Sequence, residues 1–270
     1  MLRIAKCLKN VFLGILCSIS VSPYVIILIA SFNNSVNIRK GRIFAGASIH
    51  QFLENFRVIS MNTQFFIAFK NTLIVTVITV ILSLLISSLA GYAYVVYKNR
   101  FSNLLFYLTV ISIMIPPSVL LIPSFILIRN IGLLDNIIAV SLTSLSVPLL
   151  VYYFHQNAIM FPPELINAAR IDGLSELAAY LYIYIPNMLP SFVTAGLLLF
   201  FDTWNAFLFP LIIIQSPKNM MMTLFLNSYG TSYTTDYGAF MLLLLISMLP
   251  TVVVFVFTRK HFFKGLSSLV

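Results

Sequence analysis

Asn71–Tyr97 reads NTLIVTVITVILSLLISSLAGYAYVVY, and no Asp, Glu, Lys or Arg interrupts it. A run of this length can cross the roughly 30 Å hydrocarbon core of a bilayer as a helix. Inside lipid the backbone must satisfy its own N–H and C=O groups, and a helix does so within one segment. The stretch therefore predicts a membrane-spanning helix. The next apolar stretch, Phe101–Ile128, is equally free of charge.

Working outward, six stretches have this character: approximately Val11–Phe32, Thr72–Tyr97, Leu104–Ile128, Ile137–Met160, Ser191–Ile214 and Tyr237–Thr258. The whole chain is 60% hydrophobic and only 9% charged, against roughly 25% charged residues in a soluble domain. So little charge could not cover a surface in water. The expected fold class is all-α: a polytopic membrane protein with six transmembrane helices. Prolines recur in the apolar stretches, at Pro23, Pro116, Pro117, Pro123, Pro148, Pro210 and Pro250. Kinks suit a bundle that lines a cavity, where neighbours and water take up the freed carbonyls. Proline is also commoner in membrane helices generally.

The net charge of +9 would suggest nucleic acid in a soluble protein. Here the cations flank apolar stretches, where they meet lipid headgroups and set orientation. No nucleic-acid partner is expected. Arg3, Lys6 and Lys9 precede an apolar run as in a signal peptide, but that run continues to Phe32 without a small-x-small exit, so it is expected to be a retained span. Placing both termini inside puts nine Lys and Arg on the cytoplasmic side against seven outside, most of the latter in the long segment 33–70. Lys98–Arg100 and the Arg259–Lys264 tail carry the inside signature. Cys7 and Cys17, the only cysteines, form no disulfide framework or metal set. His50, His155 and His261 lie far apart with no ligand spacing, so no metal is expected.

One connection differs from the others. Phe161–Pro190, FPPELINAARIDGLSELAAYLYIYIPNMLP, holds Glu164, Asp172 and Glu176, three of the seven acidic residues, together with Arg170. Pro162 and Pro163 suit a helix start and Glu164 its first turn. Gly173 is the expected stop. Ser175 can cap a second helix, which Pro186 ends. Ala168 and Ala169 are small enough to let another backbone approach, with Leu165 and Ile171 as apolar anchors. Physics alone leaves two readings: a helix that docks in a groove of a soluble partner, or one that lies on the membrane surface.

The spacing of Asn167-Ala168-Ala169, then Gly173, then Ile183-x-Ile185-Pro186 resembles the EAA loop of ABC importer permeases. Asn167 stands where that loop usually has glutamate, and Ile185 where it usually has leucine. Further landmarks resemble the carbohydrate-importer branch, that of the maltose and glycerol-phosphate permeases. They are Lys70-Asn71-Thr72, Ala90-Gly91-Tyr92-Ala93, Met114-Ile115-Pro116 with Ile122-Pro123, and Gly132-Leu133-Leu134. Ala169-Arg170-Ile171-Asp172-Gly173, Trp204-Asn205 and Phe263-Lys264-Gly265-Leu266 complete the set, which covers roughly Phe66–Leu266.

The resemblance implies the type I ABC importer permease fold in a bacterial cell membrane. It implies an N-terminal helix and outer loop over 1–65, a permease core over 66–258 with the coupling loop at 161–190, and a cytoplasmic tail over 259–270. It also implies partners: a cytoplasmic ATPase dimer, a second permease subunit (a paralogue in this branch), an extracellular solute-binding protein and a sugar substrate. The coupling residues would be Glu164, Asn167, Ala168, Ala169, Arg170, Asp172, Gly173 and Pro186. No cofactor would be bound by this chain; ATP would be used by the partner. Consistently, the sequence has no G-x-x-x-x-G-K-[ST] phosphate loop, so a transport subunit and not an enzyme is expected.

Asp202 lies inside the fifth apolar stretch, followed by Trp204 and Asn205. An acid at membrane depth suggests function, and acid, aromatic ring and amide together suit a sugar. Polar groups of this kind also hold helices together. Asn71 and Tyr92 are further candidates for the substrate pathway, with His155 and Gln156 behind them. The alternative to an ATP-driven importer is a stand-alone ion-coupled secondary transporter. That would call for several intramembrane carboxylates and internal repeats, and only Asp202 is on offer.

Overall fold

A computed structural model describes residues 2–44, 46–145, 147–232 and 235–267, with the side chains of 2–5, 7, 8 and 261–267 excepted. The side chains of Cys7, His261 and Phe263–Leu266 thus lie outside what is described. All regular structure among the described residues is helical. The chain opens with α1 (Leu2–Ala30), α2 (Ser35–Arg39), α3 (Ile49–Ser60) and α4 (Thr63–Val96). Then come α5 (Arg100–Ser112), α6 (Leu121–Asn130), α7 (Ile137–Ser144) and α8 (Pro148–Met160). The polar connection folds into α9 (Pro163–Ile171), α10 (Glu176–Ala179), a π-helical turn at Tyr180–Tyr184 and α11 (Ile185–Asn187). The last elements are α12 (Leu189–Trp204), α13 (Leu208–Ile213), α14 (Met222–Gly230) and α15 (Tyr237–Ser267).

Three straight segments are long and apolar enough to cross a bilayer: Lys9–Ala30, Thr63–Val96 and Tyr237–Lys260. Three bent helix pairs pass the same test together, so the spans number from three up to six, the upper figure counting each pair as one span. Arg100–Ser112 meets Pro117–Asn130 at 98°, Ile137–Ser144 meets Pro148–Met160 at 46°, and Glu176–Asn187 meets Leu189–Trp204 at 81°. Proline accounts for two of the bends. Pro116 and Pro117 cannot donate to the turn before them, and Pro117 restarts the chain as a short 3₁₀ turn, Pro117–Leu120. Pro148 occupies the first turn of α8, where the missing N–H costs nothing.

The fifth apolar stretch departs from expectation. It was expected to run from Ser191 to Ile214, but α12 stops at Trp204 and the chain restarts as α13. The 16 residues of α12 span only about 24 Å. Asn205 ends the helix, its side-chain amide donating to the Phe201 carbonyl at 2.8 Å. The last helix, α15, runs on past its apolar segment to Ser267.

The chain divides into two compact units, Met1–Phe66 with Leu224–Pro250, and Ile67–Thr223 with Thr251–Val270. Leu224–Pro250 thus groups with the N-terminal segment. In the first unit the Asp236 carboxylate accounts for much of this. It accepts from the backbone N–H of Gly238 at the start of α15 and from the Ser35 hydroxyl of α2 at 2.6 Å. Buried Asn55 of α3 donates to the Ser31 and Asn33 carbonyls.

In the second unit α4 lies close to α8. A Cβ on Gly91 would stand 2.7 Å from the His155 backbone nitrogen and 2.8 Å from the Phe154 Cβ, so only glycine permits this approach. One face of α4 carries Thr72, Thr76, Thr79, Ser83 and Ser87, all buried. Their three- and four-residue spacing puts them in a single row, where small hydroxyl side chains let helices pack closely in lipid. At the far end of the unit, Asp135 has the described chain's only non-glycine positive φ, 56°. Its carboxylate accepts from the N–H groups of Gln215 and Ser216 at 2.9 and 2.8 Å, and its backbone carbonyl accepts from the Asn219 side chain. The turn between α6 and α7 is thereby tied to the segment after α13.

Candidate functional site

The polar connection folds as a helix, a tight turn and a second helix, and its local chemistry dictates each part. Pro163 begins α9, Glu164 sits in its first turn and Arg170 in its last, so both charges favour the helix dipole. Gly173 takes φ +82°. The Leu174 N–H then returns to the Ala169 carbonyl at 3.0 Å and the Gly173 N–H to the Arg170 carbonyl at 3.1 Å. These two bonds are the Schellman closure of a helix C-terminus. Ser175 caps α10, accepting from the Ala178 N–H at 3.3 Å.

The second helix ends beside Pro186, as expected. The helix runs one residue past it, to Asn187, because the turn ahead of it widens. The Ile185 N–H bonds to the Tyr180 carbonyl, five residues back. A π turn of this kind absorbs the carbonyl clash that a proline imposes on a regular helix.

The two faces of α9 differ. Ile166 and Ala169 are buried, whereas Leu165, Ala168 and Ile171 are exposed at three-residue intervals along one side. Ile171 is 86% exposed. Ala169 therefore does not offer its small side chain outward, as the sequence suggested. It is 5% exposed and packs with Tyr92, Phe161, Ile166, Tyr180 and Tyr184 inside the chain. At Gly173 a Cβ would meet nothing within 4 Å. Its requirement is conformational. Ala168 remains the small residue on the outward face, beside Asn167 and Asp172, which are also exposed.

Charge joins the two helices. Arg170 Nε donates to Glu176 Oε1 at 2.7 Å and Nη2 to Oε2 at 3.2 Å, while Nη1 donates to the Asn167 side-chain oxygen at 3.2 Å. The hydrogen bond from Arg170 holds the Glu176 carboxyl below the usual glutamate range, and Tyr97 adds to it. The same partner raises Arg170. Glu176 was not among the residues expected to form the site, although the Arg170 to Glu176 spacing brackets Gly173 in the sequence.

Beneath the loop lies an aromatic base that sequence reasoning missed. Tyr92 of α4 has its ring 5.4 Å from Tyr180 and 4.8 Å from Tyr184, and Phe161 packs edge-on to Tyr184 at 5.4 Å. Tyr180 and Tyr184 are four residues apart, the helical signal that could have flagged them. The alternation in YLYIY conceals it. Tyr92, expected in the substrate pathway, thus packs at the base of the loop.

The other pathway candidates separate. Trp204 is buried, stacked on Phe200 at 5.7 Å and edge-on to Phe69 at 5.6 Å. Both Asn71 contacts come from its side-chain amide, to the Lys218 and Met220 carbonyls at 3.0 Å each, so it secures a connection. Asn205 caps α12. Asp202 is exposed near the end of that helix. His155 stacks on Phe106 at 3.8 Å, as a packing residue does. Gln156 is half-buried on α8. No cluster of three potential metal ligands occurs among the described residues.

Known proteins share this architecture and sequence. The model of the family described as binding-protein-dependent transport system inner membrane component matches residues 83–267. The lactose transport system permease protein LacG of Rhizobium radiobacter is 29% identical over 264 residues, covering 98% of this chain and 96% of that protein. The arabinooligosaccharides transport system permease protein AraQ of Halalkalibacterium halodurans is 31% identical over 253 residues, covering 92% and 90%. The crystal structure of a bacterial ABC transporter involved in the import of the acidic polysaccharide alginate includes a chain that superposes with a TM-score of 0.84. That match has 21% identity and covers 96% of this chain and 97% of that one.

The chain belongs to the binding-protein-dependent transport system inner membrane component family. Its fold is that of an ABC importer permease. It is a multi-pass inner-membrane transport subunit, and ATP hydrolysis belongs to a separate subunit.

Proposed function

We propose that this chain forms half of the translocation pathway of an ATP-driven carbohydrate importer and engages its ATPase through Phe161–Pro190. The observation that carries this reading is the two-sidedness of α9. Ile166 and Ala169 fix the helix on an aromatic base, while Leu165, Ala168 and Ile171 leave an apolar ridge facing away from it. An exposed apolar ridge beside fixed charges is what a protein groove accepts. A membrane-surface helix needs a basic polar face, and α9 has Arg170 alone, already engaged by Glu176.

The relatives named for lactose and arabinooligosaccharides support a neutral oligosaccharide as cargo. The partners in this reading are an ATPase dimer, an extracellular solute-binding protein and a second, paralogous permease. ATP acts at the ATPase, and this chain binds no cofactor. Both termini face the cytoplasm, which sets the coupling loop on the ATPase side and the Asp135 turn outside. Asp202 is the pathway residue best placed to meet a sugar hydroxyl.

The test is reconstitution. The chain is to be purified with its ATPase, second permease and binding protein, placed in liposomes and supplied with labelled lactose and arabino-oligosaccharides. ATP-dependent accumulation of one of these sugars is expected. Uptake that proceeds on an ion gradient without ATP would refute the reading. Reporter fusions at residues 98 and 174 are expected on the cytoplasmic side and one at residue 133 outside; the reverse pattern would overturn the orientation.

A further inference from the structure

The proposed coupling loop meets α4 at a buried polar contact. The Tyr180 and Ser88 hydroxyl oxygens lie 2.6 Å apart, with Tyr180 3% and Ser88 0% exposed. Ser88 also lies 2.5 Å from the Leu84 carbonyl. A carbonyl only accepts and each hydroxyl carries one proton. Ser88 therefore donates to Leu84, and Tyr180 donates to Ser88. The result is a directed chain from the π turn of the loop into the backbone of α4. Leu84 in turn packs against the buried group of Leu150, Phe154, Ala195 and Leu199, and its Cδ1 would touch a Cβ placed on Gly196 of α12.

Two features suit this contact to passing on a displacement. A buried hydrogen bond in low dielectric is directional and costly to leave unmade. The π turn that presents Tyr180 is a wider, less stable register that recurs at functional sites. The remaining contacts of the tyrosines with Tyr92 are ring against ring, and such contacts slide more readily than they transmit direction.

We infer that Tyr180 and Ser88 are positioning residues through which movement of the ATPase-docking loop is transmitted to α4 and, through Leu84, to α12. The inference rests on the proposed coupling role and deepens it. It assigns no contact with ATP or sugar to either residue.

The experiment uses the complete transporter in liposomes, carrying Tyr180→Phe, Ser88→Ala or both, and measures sugar accumulated per ATP hydrolysed. Tyr180→Phe keeps the ring and its packing and removes one hydroxyl. Each single substitution is expected to lower the ratio by roughly two- to tenfold, the range of one lost hydrogen bond. The double variant is expected to be no worse than the more affected single, with ATPase co-purification and ATP hydrolysis retained. An unchanged ratio in both singles would overturn the inference, as would additive losses in the double variant. Parallel loss of uptake and hydrolysis with failed assembly would also overturn it, by showing a purely structural role. The unsubstituted transporter, run alongside, keeps the two questions apart: if it shows no ATP-driven uptake, the proposed function fails and not the Tyr180–Ser88 link.

Discussion

Arg170 and Glu176 face each other across the Gly173 turn, joined by two hydrogen bonds of 2.7 and 3.2 Å that tie the last turn of α9 to the first turn of α10. Both side chains are about 40% exposed, at 39% and 41%, and exposed ion pairs add little to overall stability. The value of this one is geometric: a planar fork on a carboxylate fixes direction as well as distance. It sets the angle between the two loop helices.

The Glu176 pKa is lowered by the Arg170 hydrogen bond, so its contribution is complete above the ordinary glutamate range and is lost as pH falls through the lowered folded value. The difference in thermal midpoint between the natural chain and Glu176→Gln is expected to stay constant from pH 8 to pH 5. It shrinks only at more acid pH. A difference that vanishes already near neutrality would contradict the pairing.

Asp135 follows the same sign with a lower window. Burial, the largest influence, works against its charge, but hydrogen bonding by Ser216, Gln215 and Asn219 outweighs it and holds the carboxyl at about 2. Its contribution is present above the usual aspartate range and disappears as pH falls through about 2. Asp135→Ala also forces a β-carbon residue without a side-chain acceptor into φ 56°, so loosening of residues 131–136 and 213–219 is expected in hydrogen exchange at neutral pH. Unchanged exchange there would remove the clamp.

Gly173→Ala is expected to cost about 1–2 kcal/mol, the price of a left-handed backbone for an alanine. Gly173→Asn should cost less, since asparagine tolerates that conformation and space is open around the position. Chemical or thermal unfolding in detergent ranks the two. Equal cost for both would mean that crowding, and not φ, selects glycine here.

Ala168 and Ala169 separate docking from folding. Ala169→Asp buries a carboxylate against Tyr92, Tyr180 and Tyr184 and is expected to lower the stability of the chain itself by several kcal/mol. Ala168→Asp lies on the exposed face and is expected to leave the unfolding midpoint unchanged while weakening ATPase co-purification. Normal co-purification of the Ala168 variant would count against the outward face as the docking surface.

Gly91→Ala places a methyl against backbone and side-chain atoms of α8 at 2.7–2.9 Å. Overpacking of this order costs about 1–3 kcal/mol, read as a drop in thermal midpoint. Gly14, with nothing within 4 Å of a Cβ, is the control, and its alanine variant is expected to match the natural chain.

The membrane class, the helical character of 161–190 and its stop at Gly173 were all legible in the sequence, because charge depletion and turn chemistry are local properties. Gly173 shows how far local chemistry carries. The same glycine serves as a stop from sequence and from structure, and its positive φ is the backbone sign that the stop requires. Asn167 was legible as a departure but not in its consequence. Its side-chain oxygen accepts from Arg170, so it lies beside the acid that Glu176 supplies from the next helix. Nothing within three or four residues of Asn167 announces that neighbour.

By itself the sequence determined that this chain must be helical in lipid, since runs without charge leave the backbone no other way to pair its polar groups. It also determined where one polar, helix-turn-helix connection would emerge. Only the tertiary structure decided which side of α9 faces inward, that Tyr92 packs beneath the loop, that Trp204 and Asn71 are packed and bonded internally, and that Tyr180 meets Ser88. The physical reason is that a residue's type fixes what it can bond, while the approach of helices remote in sequence fixes what it does bond. Ser88 and Tyr180, 92 positions apart, share one proton's direction only because α4 and the loop are brought together.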